Sequence, residues 1–317
     1  MQELPSSKVR CVLIRVLGII FCGLTLSGLS GCSAPSPTEP VTEAKHPVIA
    51  TYSILGDWVG VVGGDRVAVS TLVGAGGDAH TYEPTPPDSV ALSRAMLVFE
   101  NGLGFEAWLD DLYTSSRSVG TRIVVTETLT PRSMPPSSGK VEIDPHVWHS
   151  PRMAVEMVRA ITLALVEADP SHAGEYQQRA DLYVAELKTL DVWIQGQVAS
   201  LPVERRQLFT SHDTFGYFAE DYGFQVHSIM GSVSSEVADP SAAEVAQVIQ
   251  RIREAQVPAV FSENIINPKL TEQVAREAGV SVVPSLYTDA LGPGDSSGGS
   301  YLRMMRHNVQ TIVEALR

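Results

Sequence analysis

The chain has 317 residues, 44% of them hydrophobic, and its 36 acidic and 23 basic residues give a formal net charge of −13 at pH 7. This acidic balance argues against a nucleic-acid partner, because phosphate binding requires basic patches. It is compatible with attraction of cations, although an acidic surface that is merely solvated gives the same charge. Three cysteines allow at most one disulfide, so we expect one or two hydrophobic cores to stabilise a chain of this length.

The first 32 residues have the pattern of an export signal. Basic residues precede and enter an apolar run over residues 16–29 that is too short to cross a bilayer comfortably. The run ends in Leu29-Ser30-Gly31-Cys32, which resembles a bacterial lipobox, where the signal is cut before a cysteine that carries a lipid. We therefore expect residues 1–32 to be a lipoprotein signal peptide and Cys32 to be the membrane anchor. An ordinary secretory signal with an incidental cysteine is the alternative.

A segment rich in proline and serine follows the predicted signal. Residues 33–46 bury little and favour extended conformations, so we expect a flexible tether, with the folded body beginning at residue 47. Cleavage before Cys32 would remove the other two cysteines and leave no disulfide in the mature chain. It would also remove three basic residues and one acidic residue, so the mature chain is more acidic than the full one.

Short runs of apolar and β-branched residues alternate with helical segments along the body. This alternation predicts an α/β fold with mainly parallel sheets flanked by helices. The runs fall into two sets, so we expect two similar α/β lobes, formed by residues 47–170 and 202–317. The predicted strands are 48–52, 67–73, 96–99 and 123–125 in the first set, and 208–211, 225–229, 259–262 and 281–283 in the second.

A long helical pattern separates the two sets. Its apolar positions step by three or four residues and form one continuous stripe. We expect residues 171–201 to form a connecting helix of about 25 residues and about 38 Å, long enough to run along both lobes and to limit their relative motion. The stripe consists of Tyr176, Ala180, Tyr183, Leu187, Leu190, Ile194 and Val198.

Two histidines in the first predicted lobe are placed by turn-forming residues. His146 lies in Asp144-Pro145-His146-Val147-Trp148, where the proline restrains the backbone and Asp144 and Trp148 can orient or shield the imidazole. His80 follows the glycine-rich run 74–79. That run fits a phosphate-binding pattern, but the prolines that come next predict that no helix begins there, so a dinucleotide site is not expected.

Two further candidate ligands lie in the second predicted lobe. His212 follows a predicted strand directly, and Asp289 comes soon after another. The carboxyl ends of strands in an open α/β sheet face the ligand crevice. Together with His80 and His146 they supply three imidazoles and one carboxylate, which can saturate a tetrahedral Zn²⁺ and leave no open position for catalysis. The sequence therefore predicts metal capture rather than turnover.

The chain resembles the cluster A-I, or TroA-like, substrate-binding lipoproteins of bacterial ABC transporters that import zinc or manganese. The resemblance implies two lobes joined by a rigid helix, with the metal between them bound by His80, His146, His212 and Asp289. It covers the whole mature body. The matching stretches are 77–84 (Gly-Asp-Ala-His-Thr-Tyr-Glu-Pro), 99–109, 144–148 (Asp-Pro-His-Val-Trp), 212–218, 261–264 (Phe-Ser-Glu-Asn) and 287–292.

The resemblance leaves Zn(II) and Mn(II) as candidate ions. Manganese importers of this kind tend to carry Glu at the position of His212, and three nitrogen donors favour Zn(II) over Mn(II). The sequence departs from the family pattern in two places. Residues 129–143 contain no histidine, unlike the His-rich loop of many zinc importers, and this weighs against zinc. Ala79 replaces a proline that is frequent before the first histidine, and this weighs against a rigid turn there. We expect Zn(II), with Mn(II) as the alternative, and an affinity that falls as the pH drops through about 6.5.

Other residues near the expected site have supporting or open roles. Glu263, like Asp144 and Trp148, is expected to orient the ligands or to act as a substitute ligand, while the role of His149 is left open. The remaining histidines are expected to be structural or solvated. They are His46, His172, His227 and His307.

These expectations define a monomeric binding protein, not an enzyme. Its partners would be an ABC permease with its ATPase subunit, and its place the periplasm or the outer face of the cytoplasmic membrane, where Cys32 anchors it. A secreted zinc hydrolase is a weaker alternative, because no His-Glu-x-x-His motif occurs. A second alternative is an adhesin that reuses the same scaffold.

Overall fold

The computed structural model describes residues 44–134, 142–231 and 240–317. The predicted signal peptide, the predicted lipid attachment at Cys32 and nearly all of the predicted tether lie outside these residues. None of the helices in the described ranges has both the length and the hydrophobicity that crossing a membrane requires.

A four-stranded parallel sheet forms the centre of the first half of the body, residues 46–168. Most residues of the first and third strands are buried, as expected for parallel strands covered by helices. Each strand overlaps a predicted one, but the first strand includes His46, so the predicted tether is too long at this end. The strands are β1 His46–Tyr52, β2 Val67–Val73, β3 Leu97–Glu100 and β4 Thr121–Val124, in the order β2-β1-β3-β4.

Helices and a short antiparallel pair complete this half. The last helix begins as its sequence indicates, because the Ser150 hydroxyl accepts the backbone N–H of Met153 at 3.3 Å and Pro151 occupies the first helical position. The elements are α1 Ser53–Gly63, α2 Pro86–Arg94, α3 Leu109–Ser116, β5 Ser133–Met134 paired with β6 Glu142–Ile143, and α4 Pro151–Ala168.

The helix α2 corrects the prediction that no helix begins among the prolines after His80. Proline is tolerated in the first turn of a helix, where its missing N–H would have no intrahelical partner. The Asp88 carboxylate also accepts the backbone N–H of Thr85 at 2.7 Å, which caps the start. The glycine-rich run itself remains a loop that opens no helix.

The second half repeats the strand order of the first. β7 (Gln207–Thr210) pairs with β8 (Gln225–Ser228) and β9 (Ala259–Glu263) pairs with β10 (Ser281–Leu286), as two parallel two-stranded sheets. β7 packs beside β9 without a strand ladder between them, so the four strands lie in the spatial order β8-β7-β9-β10. The expected fold of two α/β lobes is confirmed. The elements are β7 Gln207–Thr210, α6 Gly216–Tyr222, β8 Gln225–Ser228, α7 Ala242–Ala255, β9 Ala259–Glu263, α8 Lys269–Ala278, β10 Ser281–Leu286 and α9 Tyr301–Leu316.

The predicted long helix, α5 Ala173–Val198, lies between the two halves in the chain. It has 26 residues and follows a short 3₁₀ turn at Pro170–His172. Every residue of the predicted apolar stripe is buried. α5 packs against α1, α4 and α9, so it contacts elements of both halves.

One hydrophobic core runs through both halves of the body. It includes Val48 and Phe99 from the first sheet, Leu187 from α5, and Phe261 and Leu286 from the second pair of strands. Protein interiors are close-packed, so a large rotation of one half against the other would have to open this core. The fold therefore holds the two halves in a nearly fixed relation.

The long helix offers a matched test of this packing. Leu190→Ala removes a fully buried side chain from the shared core and should lower the free energy of unfolding by about 2–5 kcal/mol. Leu182→Ala on the same helix truncates a side chain that is 65% exposed and should change it by less than about 0.5 kcal/mol. Urea unfolding of both variants measures the difference, and equal effects would contradict the assigned inner face of α5.

Candidate metal centre

The four predicted ligands converge on one buried point. One ligand atom from each of His80, His146, His212 and Asp289 lies within 4.8 Å of all the others. Oδ2 of Asp289 lies 3.3 Å from Nε2 of His80, 3.3 Å from Nε2 of His212 and 3.6 Å from Nε2 of His146. The Nε2 atoms of His80 and His146 are 3.3 Å apart. A tetrahedral Zn²⁺ with bonds of about 2.0–2.1 Å has ligand atoms about 3.3 Å apart, so these separations suit it.

His80 is held by the loop that follows β2. The backbone N–H of His80 donates to Oδ1 of Asp78 at 2.8 Å, and the indole of Trp108 donates to the carbonyl of Ala79 at 2.8 Å. The ring also packs edge-on against Phe105, with centroids 4.7 Å apart. These contacts fix the backbone and one face of the ring, while 8% of the residue remains exposed to solvent.

His146 is oriented by the aspartate that the sequence placed two residues before it. Oδ1 of Asp144 lies 2.8 Å from Nδ1 of His146 and accepts its backbone N–H at 3.0 Å. The other oxygen of Asp144 accepts from the guanidinium of Arg132 at 2.9 Å. A carboxylate at Nδ1 favours a proton there and leaves Nε2 free to coordinate an ion.

His212 has the same kind of support from Glu263 at the end of β9. Oε2 of Glu263 lies 2.5 Å from Nδ1 of His212, and Oε1 accepts the backbone N–H of His212 at 2.9 Å. Oε2 also accepts from the hydroxyl of Thr288 at 3.0 Å. Both carboxylate oxygens of Glu263 are therefore engaged, and the structure places Glu263 against His212 rather than among the four converging ligand atoms.

Asp289 lies in a loop that crosses to the first half of the body. Its Oδ1 accepts from the hydroxyl of Thr214 at 3.2 Å. The preceding carbonyl, that of Thr288, accepts from the indole of Trp148 at 2.9 Å. Trp148 therefore joins the segment that carries His146 to the segment that carries Asp289.

Two of the four converging ligand atoms lack protein hydrogen bonds. Among the described residues, Nε2 of His212 and Oδ2 of Asp289 are buried and have no hydrogen-bond partner. Leaving a buried polar atom unpaired is costly, so such atoms need an explanation. A cation at the common point provides it, because both atoms are donors to metals and both face that point.

The charged groups of the site strongly shift one another's pKa values. Burial alone lowers the pKa of His146, but the carboxylates of Asp289 and Asp144 outweigh burial and raise it to about 9. Burial likewise opposes the charged form of His212, yet Glu263 and Asp289 raise its pKa well above 6.5. Burial favours a protonated Asp289, but the neighbouring imidazoles hold its pKa well below 3.8. In the absence of an ion, these shifts favour the protonated forms of His146 and His212 beside an ionised Asp289.

His149, whose role the sequence left open, lies next to the site and not in it. Its Nε2 lies 3.1 Å from the hydroxyl of Thr214, which in turn donates to Asp289. It is fully buried, and burial lowers its pKa to about 3, so it stays neutral. Thr214 and Arg132 are supporting residues that the sequence reasoning missed, because neither lies in a motif with its partner.

The remaining histidines occupy other environments. His46 and His172 both contact Asp169, at 3.5 and 2.7 Å, while His227 pairs with Gln207 and the ring of His307 lies near Tyr287. Within the ranges that the structure describes, no second group of three or more metal-binding side chains converges. The sequence interpretation of these four histidines as structural or solvated agrees with their contacts.

A family model described as "ZnuA: Zinc-uptake complex component A periplasmic" matches residues 48–315. Among curated proteins, the chain is 33% identical to the manganese-binding lipoprotein MntA of Halalkalibacterium halodurans, over 90% of this chain and 94% of that protein. It is 32% identical to the iron-binding protein YfeA of Yersinia pestis, over 93% and 94%. It is 33% identical to the zinc-binding protein TroA of Treponema pallidum, over 94% and 98%. The solved structure of that TroA protein superposes with a TM-score of 0.81 and covers 86% of this chain and 99% of its own.

The fold and the buried site define a class of binding protein whose two lobes hold one metal ion. The chain belongs to the ZnuA family of metal-binding proteins. It is thus a substrate-binding protein of a metal-ion ABC transporter and not an enzyme. It acts outside the cytoplasm, in the periplasm or attached to the outer face of the cytoplasmic membrane.

Proton release should accompany ion binding. Because the pKa of His146 is about 9, this imidazole carries a proton near pH 7.5 that an incoming ion must displace. We expect roughly one proton or more to be released for each ion bound, and the apparent affinity to rise as the pH is raised towards 9. Calorimetry in buffers with different ionisation enthalpies measures this release. A binding enthalpy that does not depend on the buffer would contradict it.

His149 should make the ion-free protein sensitive to acid. The unfolded chain protonates this histidine below pH 6.5, whereas the folded protein does so only near pH 3, so stability falls as the pH drops through that window. The loss attributable to His149 is about 1.4 kcal/mol per pH unit. The His149→Phe variant has no imidazole to titrate at this position. Its free energy of unfolding, relative to that of the wild type, should therefore increase by this amount for each pH unit between pH 6 and pH 4. Chemical unfolding at several pH values measures it, and parallel curves would rule it out.

Proposed function

We propose that the protein captures Zn(II) through His80, His146, His212 and Asp289 and delivers it to an ABC permease driven by its ATPase subunit. The observation that carries the proposal is the convergence of three imidazole nitrogens and one carboxylate oxygen at separations that suit a tetrahedral ion. Four protein donors leave no open coordination position, which favours transport over hydrolysis.

Zinc is favoured over manganese by the donors themselves. Imidazole nitrogens suit Zn(II), while Mn(II) prefers sites rich in oxygen. Identity to relatives does not separate the two ions, because the chain is 33% identical both to a protein named for manganese and to one named for zinc. Mn(II) is therefore the alternative, and a relative that is named for iron and is 32% identical makes Fe(II) a further candidate ion.

The charge balance of the buried site supports a divalent ion. Asp289 faces the position of the ion and Glu263 stands behind His212, while Asp144 pairs with Arg132. A divalent cation would neutralise the two remaining negative charges, and buried charges are tolerated when they are balanced in this way. A monovalent ion would leave one carboxylate uncompensated.

We infer that each lobe contributes two ligands. Residues 47–170 would supply His80 and His146, residues 202–317 would supply His212 and Asp289, and residues 171–201 would act as the stiff connector. A monomer anchored by a lipid on Cys32 would stay close to its permease.

Metal analysis combined with ligand variants tests the proposal. Protein purified without chelator should contain about one Zn(II) per chain, and in competitive titrations Zn(II) should bind more tightly than Mn(II) or Fe(II). His146→Ala removes a donor and should weaken Zn(II) binding by roughly 100-fold or more. His227→Ala, which removes an imidazole that pairs with Gln207 outside the site, serves as the matched control and should bind like the wild type.

The outcomes separate the alternatives. Tighter binding of Mn(II) than of Zn(II) by the wild type would establish the manganese alternative and overturn the zinc assignment. Failure of the wild type to bind any of these ions, or equal binding by His146→Ala, would overturn the metal site itself.

A further inference from the structure

Each half of the body places an asparagine directly after its third strand. Asn101 follows β3, and Asn264 follows β9. A glutamate precedes each of them, but the two glutamates have different partners: Glu263 contacts His212, whereas Glu100 pairs with Arg122 at 2.7 Å. The asparagines therefore share a position in the repeated strand order without sharing a charge network.

Asn264 brackets the ligand Asp289 from both sides. Its Oδ1 accepts the backbone N–H of Thr288 at 3.1 Å, and its Nδ2 donates to the carbonyl of Ala290 at 3.1 Å. The backbone N–H of Asn264 also donates to the carbonyl of Leu286, at the end of β10, at 2.9 Å. A single amide side chain therefore fixes the residues immediately before and after the ligand.

Asn101 makes the corresponding contact in the first half. It is fully buried, and its Nδ2 donates to the carbonyl of Pro145, the residue before His146, at 3.0 Å. The same amide nitrogen contacts the carbonyl of Gly102 at 3.1 Å, and Oδ1 accepts from the hydroxyl of Tyr52 at 3.3 Å. In both halves, then, the amide holds the backbone next to a ligand and does not face the ion.

We propose that Asn264 and Asn101 are positioning residues that preorganise Asp289 and His146 for the ion, an inference that rests on the proposed function. Loops are otherwise mobile, and a ligand displaced by a fraction of an ångström loses coordination energy. An asparagine suits the task because its amide both donates and accepts, so it can satisfy an N–H and a carbonyl of one loop without adding charge.

The loop that carries Asp289 supplies a matched control. Asn308 on α9 accepts the backbone N–H of Tyr287 at 3.0 Å and donates to its carbonyl at 2.6 Å. It has the same side chain as Asn264 and makes the same two kinds of backbone bond, but it holds a residue two positions before Asp289. A loss specific to Asn264 can therefore be distinguished from a general loosening of the loop.

The experiment compares Asn264→Ala with Asn308→Ala in the full chain, using Zn(II) for affinity and Co(II) for geometry. Asn264→Ala should weaken Zn(II) binding by about 10- to 100-fold, the range typical of residues that orient metal ligands. It should also reduce the intense visible absorption that marks tetrahedral Co(II). Asn308→Ala should retain both the affinity and the spectrum even though it lowers the thermal stability. Asn101→Ala, measured in the same way, should resemble Asn264→Ala.

Wild-type affinity or an unchanged Co(II) spectrum for Asn264→Ala would overturn the inference, and so would equal losses for Asn264→Ala and Asn308→Ala. If Asn264→Ala does not fold, Asn264→Ser, whose hydroxyl is too short to reach both backbone groups, replaces it with the same expected loss. A wild type that binds neither Zn(II) nor Co(II) would instead refute the proposed function, so the two failures are distinguishable.

Discussion

The electrostatic cost of gathering ionisable side chains at one buried point is the constraint on which the rest of this structure depends. Three imidazoles and a carboxylate meet where no water layer separates them, and two more carboxylates stand directly behind the imidazoles. Such a cluster is stable only if its charges balance and if every outward-facing atom has a partner. Arg132 pairs with Asp144, Thr214 donates to Asp289, and the indole of Trp148 holds the backbone that precedes Asp289, each from a different segment of the chain.

The scaffold also keeps the ligands together, because its packing and hydrogen bonds join the two halves of the body. The hydrophobic core is continuous from the first sheet through α5 to the second pair of strands. Hydrogen bonds also join the two halves close to the site: the hydroxyl of Tyr301 donates to the carbonyl of Trp148 at 2.7 Å, and the N–H of Gly76 donates to the carbonyl of Leu291 at 2.9 Å. Ligands from four segments are therefore held by one continuously packed body.

Much of this architecture could be predicted from the sequence, because its signals are local. β2 was predicted to the residue, and the buried stripe of α5 follows directly from its apolar spacing. Chain order also located the candidate ligands, since strand ends and a proline turn mark them. The start of α2 was missed because prolines that break a helix interior are also compatible with a helix beginning.

The supporting residues could not be predicted in the same way. Arg132 reaches Asp144 from twelve residues away, and Thr214 reaches Asp289 across 75 positions. Asn264 bonds to a loop more than twenty residues further along the chain. No spacing rule links such pairs. Arg132 is brought to Asp144 by the antiparallel pair of β5 and β6, whereas Thr214 and Asn264 reach the Asp289 loop through the order of strands in the second half, and both arrangements become visible only when the fold is known.

The packing of Trp148 has a practical consequence. Its indole lies 5.2 Å from the ring of His146 and 4.8 Å from that of Phe105, and it is completely shielded from solvent. A protonated imidazole quenches an excited indole nearby, and replacing that proton with Zn(II), which has a filled d shell and no redox chemistry, removes this quencher. The exchange of a proton for an ion at this centre thus changes the light emitted by a chromophore that the chain already contains, so occupancy can be followed without any added dye.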